Sequence, residues 1–515
     1  MEHGIDLELI PESIRQNVAA LITANAGFEL EVRLLREKLR LALLKKYGPK
    51  SEALSNAQLL LLELEPGVAT PELHTEGAQP AADKSLPEPE LPKTLKRAPH
   101  GRSPLPSHLP RQVVTIATPA DRCVCEKCRS IKELVGYEDS EQLHVVPAQY
   151  LVQVTRREKR ACKRCPEQGV QTEPLPERIL PKGKLSDDFI IDVLIRKYRE
   201  HVPIYRQCAT LKRDFSIDLS RQTLVDAAMA TGNLILALVA PMKVELLAEG
   251  YIQADETTLP VQSAAVRGRN HQAYLWQYSR PGGPVIFDFQ MGRSREGPKQ
   301  FLKGFRGWVQ CDGYSAYAEL GEDIRYAGCM AHARRQFYEA SQLAPSDKEL
   351  QEVLALIGQV YGIEQEARDK ALSPAGRLEL RQLKSRSLMD ALKVKITEIS
   401  KAQMPSSVLG KACQYTLRQW DRLEAFLQDG ILEVDNNWCE NGMRGVALGR
   451  KNWMHLGDEK AGPKVAAILT LFETCARLGI NIREYLTAVL PRLAEWPVSR
   501  IAELTPMAWK AAQAK

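Results

Sequence analysis

Ten prolines fall between residues 66 and 110, at positions 66, 71, 80, 87, 89, 92, 99, 104, 106 and 110. Each fixes φ and removes a backbone donor, so the stretch supplies neither a helix interior nor a central strand. It shows no strong apolar periodicity and reads as a linker, disordered or partly extended. The chain therefore cannot fold around one core, and the part before the linker must be stabilised apart from the part after it. The length of 515 residues agrees, because ~150 residues per domain implies about three domains.

The segment before the linker reads as a helix with a seam. Ile14, Leu21, Phe28, Leu35 and Ala42 recur every seven residues, with Val18, Asn25, Val32 and Leu39 four residues after the first four of them. This is a heptad pattern, and a single seam Asn can fix register and oligomer state. The alternative is an amphipathic helix packed on its own chain, but no compact domain comes directly after it. Tyr47-Gly48-Pro49 ends the pattern.

Composition excludes several classes. The hydrophobic fraction of 44% is ordinary for a globular protein. A formal net charge of +6 neither demands nor excludes a nucleic-acid partner. By the count of consecutive apolar residues no run approaches the ~18 of a membrane span, and the acidic start MEHGIDLELIPESIRQ is unlike a signal peptide. The expectation is a soluble cytoplasmic protein with no membrane partner. Eleven cysteines, an odd number spread thinly, are not a disulfide scaffold and point to metal ligands plus buried thiols.

Four of those cysteines form two knuckles, Cys125-x2-Cys128 and Cys162-x2-Cys165, with 33 residues between them. Two knuckles complete a four-sulfur structural zinc site with no open position for water. Cys123 competes for the first place, but its spacing to Cys128 makes a poorer knuckle. A redox pair would not explain why there are two. The intervening HVVPAQYLVQVTRREKR alternates like a hairpin. Around the second knuckle, Arg156, Arg157, Lys159, Arg160, Lys163 and Arg164 stand against one acid, Glu158. Such a run is often only a solvated face, but it also suits phosphate contacts, which need charge and carry no sequence information. Further on, Tyr205–Asp214 and the stretch after Ser220, a candidate N-cap, have the outline of a helix-turn-helix, which many helical domains share.

Beyond Tyr251 the texture changes to short strands: YIQADETTLPVQ, AYLWQYS, PVIFDFQ and GWVQCDGY, with the helical GPKQFLKGF before the fourth. A strand and helix, RYAGCMAHARRQFYEA, come next. Residues 346–430 are helical, broken at Ser373-Pro374 and near Met404-Pro405, and residues 465–495 are helical again. Asp255 lies inside the first strand and Asp312 ends the fourth. A carboxylate in an apolar strand is costly unless compensated, although either Asp could simply cap a turn. Two such acids brought together in one sheet repel, and a divalent cation relieves that repulsion. A third candidate is Glu440, near the start of a helix that Asp435-Asn436-Asn437 should open. Arg444, Arg450 and Lys451 stand soon after it, so Glu440 is either an ion-pair partner or a metal ligand beside a phosphate-binding surface.

These residues resemble a known family. KKYGPKSEAL after the heptads, the two knuckles, LIRKYREHVPIYRQ, DLSRQTL, and then YIQADETTLPV, QCDGYSAY, GCMAHARRQF, LGKACQYTLRQW, DNNWCEN and VALGRKNW resemble, in order, the insertion sequence 66 family transposases of TnpC type. KAGPKVAAILTLFETCARLGINIREYL is similar to the family's C-terminal region. The resemblance covers nearly the whole chain.

The resemblance implies a multidomain α+β protein. Its parts would be a leucine-zipper-like coiled coil (1–47), the linker (48–110), a zinc-ribbon-like module (111–175) and a helical DNA-binding region (176–248). An RNase H-like catalytic domain (249–460) would come next, with a mixed five-stranded sheet and a helical insertion at about 340–430, and then a C-terminal helical region (461–515). It implies an Asp-Asp-Glu triad of Asp255, Asp312 and Glu440 holding two Mg²⁺ ions, with Mn²⁺ as substitute. Those ions would serve cleavage at element ends and joining to target DNA. The 128-residue gap between Asp312 and Glu440 leaves room for the insertion. Cys329 and His332 acquire a place just past the second acid, with a local structural role near the DNA. Arg334, Arg335, Arg450 and Lys451 become candidates for phosphate contacts. Gly445 stands where the family commonly has Pro, which would loosen a turn after Glu440; Gly442 and Met443 stand where a more helix-favouring pair is usual. The expected partners are double-stranded DNA (terminal inverted repeats and target), at least a second copy of the chain, and accessory proteins of the same element. The expected setting is the bacterial cytoplasm, at the nucleoid during action. Two rivals are a catalytically silent repressor derived from a transposase and a structure-selective nuclease on the same fold.

Overall fold

The computed structural model describes residues 110–513, interrupted within 118–148 and at 162–169, 182 and 264–268, together with Val32 and Leu35. Val32 and Leu35 are helical and exposed. The other heptad positions and all four knuckle cysteines, Cys125, Cys128, Cys162 and Cys165, lie outside the described residues. The chain divides into two compact units, Gln79–Glu173 and the remainder.

In the smaller unit β1 (Lys159–Ala161) pairs antiparallel with β2 (Val170–Thr172). This corrects the hairpin expected between the knuckles: residues 149–158 form no strand, and the ribbon spans the second knuckle instead. The reason is burial. Leu151, Val152 and Val154 are exposed, so their alternation has no apolar layer to lie on. Arg157 donates to the Glu173 carbonyl at 2.9 Å, Arg160 Nε donates to Glu158 Oε2 at 2.7 Å, and Arg156 and Lys159 are exposed.

The larger unit opens with three helices. In α1 (Asp187–Tyr198) the Ser186 hydroxyl accepts from Phe189 N, two aspartates fill the first turn, and Arg196 and Lys197 close the last. Helix α2 (Ile204–Phe215) is followed by α3 (Arg221–Leu247), whose first turn is capped by Ser220 accepting from Thr223 N at 3.1 Å. Helix α3 is long and apolar enough to cross a membrane, which counting uninterrupted apolar residues missed. Its apolarity has a local cause: Leu224, Ile235, Leu238, Met242 and Leu246 are fully buried in this unit.

Strands β3 (Tyr251–Val261), β4 (His271–Ser279) and β5 (Val285–Gln290) form an antiparallel meander. After α4 (Glu296–Phe301), β6 (Gly307–Gln310) and β7 (Ile324–Ala327) add on the other side of β3, parallel to it, giving the order β5-β4-β3-β6-β7. Gly307 permits the join. Its φ is +140°, and a Cβ there would stand 2.1 Å from the Gly250 carbonyl oxygen.

Helices α5 (Met330–Leu343), α6 (Lys348–Asp369), α7 (Pro374–Leu380), α8 (Arg386–Ala402) and α9 (Val408–Arg418) come next, then the short α10 (Trp420–Leu423). The breaks fall where Ser-Pro and Met-Pro stand, and Ser373 and Ser407 cap the helices that resume. Met330, Phe337, Val353, Ile357, Leu392 and Ile396 give this helical layer its own core, which reaches the sheet through Tyr251 and Trp308. Helices α11 (Asn437–Trp453), α12 (Gly462–Arg477), α13 (Ile482–Leu493) and α14 (Pro506–Gln513) complete the unit. Helices α1, α3, α12 and α13 share one hydrophobic core with the sheet. Strand β5 is an edge, and α12 blunts it: Thr470 and Thr474 hydroxyls accept from Phe287 N at 2.9 Å and Val285 N at 3.0 Å.

Candidate active site

Asp255 sits in the middle of β3, and Asp312 lies two residues past β6. The parallel register pairs Gln253 with Gln310, so two further residues bring Asp255 level with Asp312. Glu440 stands in the first turn of α11. The Asp255 carboxyl is held well above the usual carboxylate range, first by burial and then by repulsion from Glu440, Glu256 and Asp312. Asp255 is thus close enough to feel both of the other acids singled out in the sequence.

A buried polar network fixes that convergence. Gln253 and Gln310 each stand two residues before an aspartate, on the same face of their strands. Both are essentially inaccessible. Gln253 Nε2 donates to Gln310 Oε1 at 3.1 Å and to the Asp435 carbonyl at 2.9 Å, while its Oε1 accepts from Cys439 N at 3.1 Å. Gln310 Nε2 donates to the carbonyls of Gly328 and Glu433, both at 2.8 Å. The Tyr251 hydroxyl joins by donating to Gln310 and accepting from Glu433 N at 3.2 Å. Asn436 Nδ2 reaches the Ala254 carbonyl at 3.1 Å. The segment that opens α11 is therefore bound to both aspartate-bearing strands before Glu440 is reached.

The helical layer touches the same region twice. The Tyr415 hydroxyl of α9 donates to the Asp312 carbonyl at 2.7 Å. The Tyr361 hydroxyl of α6 donates to Asp435 Oδ2 at 2.7 Å. Burial, with smaller repulsion from Glu433 and Glu440, pushes the Asp435 carboxyl up to about 7, against the pull of Tyr361 and Asn437 N–H.

Several site residues were not marked in the sequence. Glu256 is almost fully enclosed, bound by Arg293 at 2.6 Å and by the Tyr317 hydroxyl at 2.8 Å. Its position next to Asp255 in ADETT was the available signal. Gln253, Gln310 and Tyr251 left no signal, because polar residues in a strand read as solvent-facing. Cys329 and His332 do come to the site, facing Glu440 from the start of α5.

The candidate phosphate contacts divide. Arg335 is exposed and its guanidinium lies 3.9 Å from Glu440 Oε2. Arg334 is half-buried on the same helix, and Lys451 is exposed. Arg450 is used by the fold: its Nη1 donates to Thr257 Oγ1 at 3.2 Å, Thr258 Oγ1 at 2.8 Å and the Thr258 carbonyl, tying α11 to β3. A Cβ at Gly442 would lie 2.5 Å from Gln277 Nε2 of β4, so that buried side chain would have to shift. The turn expected after Glu440 does not occur. Gly445 lies inside α11, and open space surrounds the place a Cβ would take.

The comparisons with known proteins agree along the chain. Residues 182–464 match the family described as Transposase IS66 family, and residues 470–507 match the IS66 C-terminal element. Residues 122–166 match the zinc-finger binding domain of transposase IS66, and residues 34–114 match the family described as Transposase C of IS166 homeodomain. Among curated proteins, two from Sinorhizobium fredii are similar. Uncharacterized protein y4jD is 33% identical over 431 residues, covering 79% of this chain and 82% of the relative. Uncharacterized protein y4qI is 32% identical over 493 residues, covering 90% of this chain and 87% of the relative. With its central, zinc-finger and C-terminal segments all matched in order, this chain belongs to the IS66 family of transposases.

Proposed function

We propose that the chain is a DDE transposase that cleaves the phosphodiester at the ends of a bacterial insertion element and joins the freed 3′-hydroxyl to target DNA. The convergence of Asp255, Asp312 and Glu440 in a member of a transposase family carries this reading. The strand order, an antiparallel meander followed by two strands parallel to β3, supports an RNase H-like core with a helical insertion between the second and third acids.

The site is a set of hard oxygen donors, crowded enough that Asp255 resists ionisation, and this fits two Mg²⁺ or Mn²⁺ ions held by Asp255, Asp312 and Glu440. When bound, such ions activate the attacking oxygen and stabilise the leaving one during in-line phosphoryl transfer. The chain's own residues set the geometry. Gln253 and Gln310 lock the three acid-bearing segments together, and Arg335 stands where a DNA phosphate can meet it beside Glu440. In the other unit, Cys125, Cys128, Cys162 and Cys165 hold a structural zinc. Arg156, Arg157, Lys159 and Arg160 contact the phosphates of element ends. The helical pair α2–α3 and accessory proteins of the same element assist end binding. The heptads pair protomers, because two ends must be brought together.

Purified full-length protein with Mg²⁺ or Mn²⁺ is expected to join labelled element ends to a target duplex. Protection of the ends without cleavage under either metal would instead mark a repressor. Cleavage of branched DNA without joining would mark a nuclease.

Two further results are expected. Gln253→Met orphans buried groups at about 1–3 kcal/mol each. It should raise the Mg²⁺ concentration for half-maximal joining several-fold while thermal unfolding stays cooperative; an unchanged Mg²⁺ titration would show that the network does not position the acids. The second concerns pH. An unfolded aspartate releases its proton near 3.8, whereas folded Asp435 keeps it to about 7 and Asp255 is also raised. Between those values the folded state binds more protons, so metal-free stability falls as pH rises through that window. Metal binding requires the ionised form, so Mn²⁺ should raise the melting temperature more at pH 8 than at pH 5.5. Calorimetry at the two pH values checks this, and an equal or opposite difference counts against it.

A further inference from the structure

Glu440 faces a second set of donors. Cys329 Sγ lies 3.9 Å from Glu440 Oε1, and His332 Nδ1 lies 3.3 Å from the same oxygen. The three ligand atoms are within 4.8 Å of one another. A tetrahedral zinc ion, with Zn–S about 2.3 Å and Zn–N and Zn–O about 2.0–2.1 Å, requires ligand atoms roughly 3.3–3.6 Å apart. The two spacings to Glu440 Oε1 lie within a few tenths of an ångström of that range. His332 Nδ1 is buried and makes no hydrogen bond among the described residues. The Cys329 sulfur accepts the backbone N–H groups of Asn436, at 3.3 Å, and of His332, while burial and then repulsion from Glu440 hold its thiol well above the usual range. Sulfur, imidazole nitrogen and one carboxylate make a donor set for zinc and its neighbours, not for Mg²⁺.

We propose that Cys329, His332 and Glu440 form a three-ligand site for zinc or a similar thiophilic divalent ion, open at the fourth position. Binding exchanges the Cys329 thiol proton, released to solvent, for a metal–sulfur bond, and nothing is oxidised or reduced. An ion held here fixes Glu440 on the α5 side and withholds it from the aspartates, so zinc opposes Mg²⁺ at the third acid. That consequence rests on reading Glu440 as the third acid; the binding does not.

The test is a Co²⁺ titration of the zinc-loaded full-length protein, followed by visible and near-ultraviolet absorption. Wild type should develop thiolate-to-cobalt and tetrahedral ligand-field bands that saturate near one equivalent. Cys329→Ser, which keeps an acceptor for the two backbone donors, should lack them. His332→Gln should weaken binding about tenfold or more. Cobalt exchanged into the cysteine module gives a signal that persists in both variants and is subtracted. Absence of the bands in wild type, or identical bands in Cys329→Ser, overturns the site. In parallel, Zn²⁺ is added to joining reactions in Mg²⁺, each protein being compared with its own zinc-free rate. Wild type should be inhibited at zinc concentrations that Cys329→Ser tolerates. Equal sensitivity of the two proteins overturns the opposition to Mg²⁺. Cobalt bands in a protein that joins no DNA under any metal leave the site standing and remove the DDE reading instead.

Discussion

Asp312→Asn is expected to lower strand joining by about a thousandfold or more, equivalent to roughly 4 kcal/mol in the barrier. The amide has the shape of the carboxyl and can still accept from Tyr314 N, now at 2.9 Å, so the turn after β6 persists. What disappears is an anionic oxygen donor at the place where the reaction needs one. Binding of element ends should be unchanged in a gel-shift assay, since the basic ribbon lies in the other unit. The melting temperature should not fall. Asp312 is one of the charges that oppose ionisation of Asp255, and removing it relieves that repulsion. Joining within tenfold of wild type would defeat the assignment.

The second large effect is on stability. Arg381 and Glu364 are fully buried and meet through two hydrogen bonds of 2.7 Å. The same guanidinium donates to the carbonyls of Phe426 at 2.9 Å, Asp429 at 3.1 Å and Leu432 at 2.8 Å. It thereby holds the segment leading to Asp435 and Glu440 against the helical layer. Arg381→Met leaves a buried carboxylate and the Phe426 and Leu432 carbonyls without their partner, and should cost about 3–5 kcal/mol. Lysine is no substitute, because it cannot reproduce the planar fork. The double variant Arg381→Met/Glu364→Leu should recover part of the loss, since both charges leave together. Urea unfolding measures all three proteins; a single-variant loss below about 1 kcal/mol would count against a buried pair of this kind.

The parts of the fold legible in the sequence were those with local causes. Strands β3 to β6 arise from apolar runs bounded by Gly and Pro, and α3, α7 and α9 begin where a Ser cap stands. The acids were legible because a carboxylate inside a strand is conspicuous. The features that could not be read depend on partners far along the chain. Gln253 finds Gln310 57 residues away and Asp435 182 residues away, and no local pattern separates it from a surface glutamine. Arg450 stood out because charge is visible in a sequence. The threonines that one of its nitrogens meets, about 192 positions earlier, did not. The alternation in LVQVT was real but had no layer to cover it.

The placement of the helical layer between Asp312 and Glu440 has a consequence for synthesis. A ribosome makes the basic ribbon, α2–α3 and both aspartates first, then the whole of α5 to α10, and only afterwards the third acid. At about 5–20 residues per second, roughly 6 to 26 seconds separate Asp312 from Glu440. On the proposed reading, a nascent or prematurely terminated chain in that interval carries the surfaces assigned to DNA but lacks the third acid. Fragments ending before Asn437 should therefore occupy element ends without cutting them, and compete with the full-length protein for the same DNA.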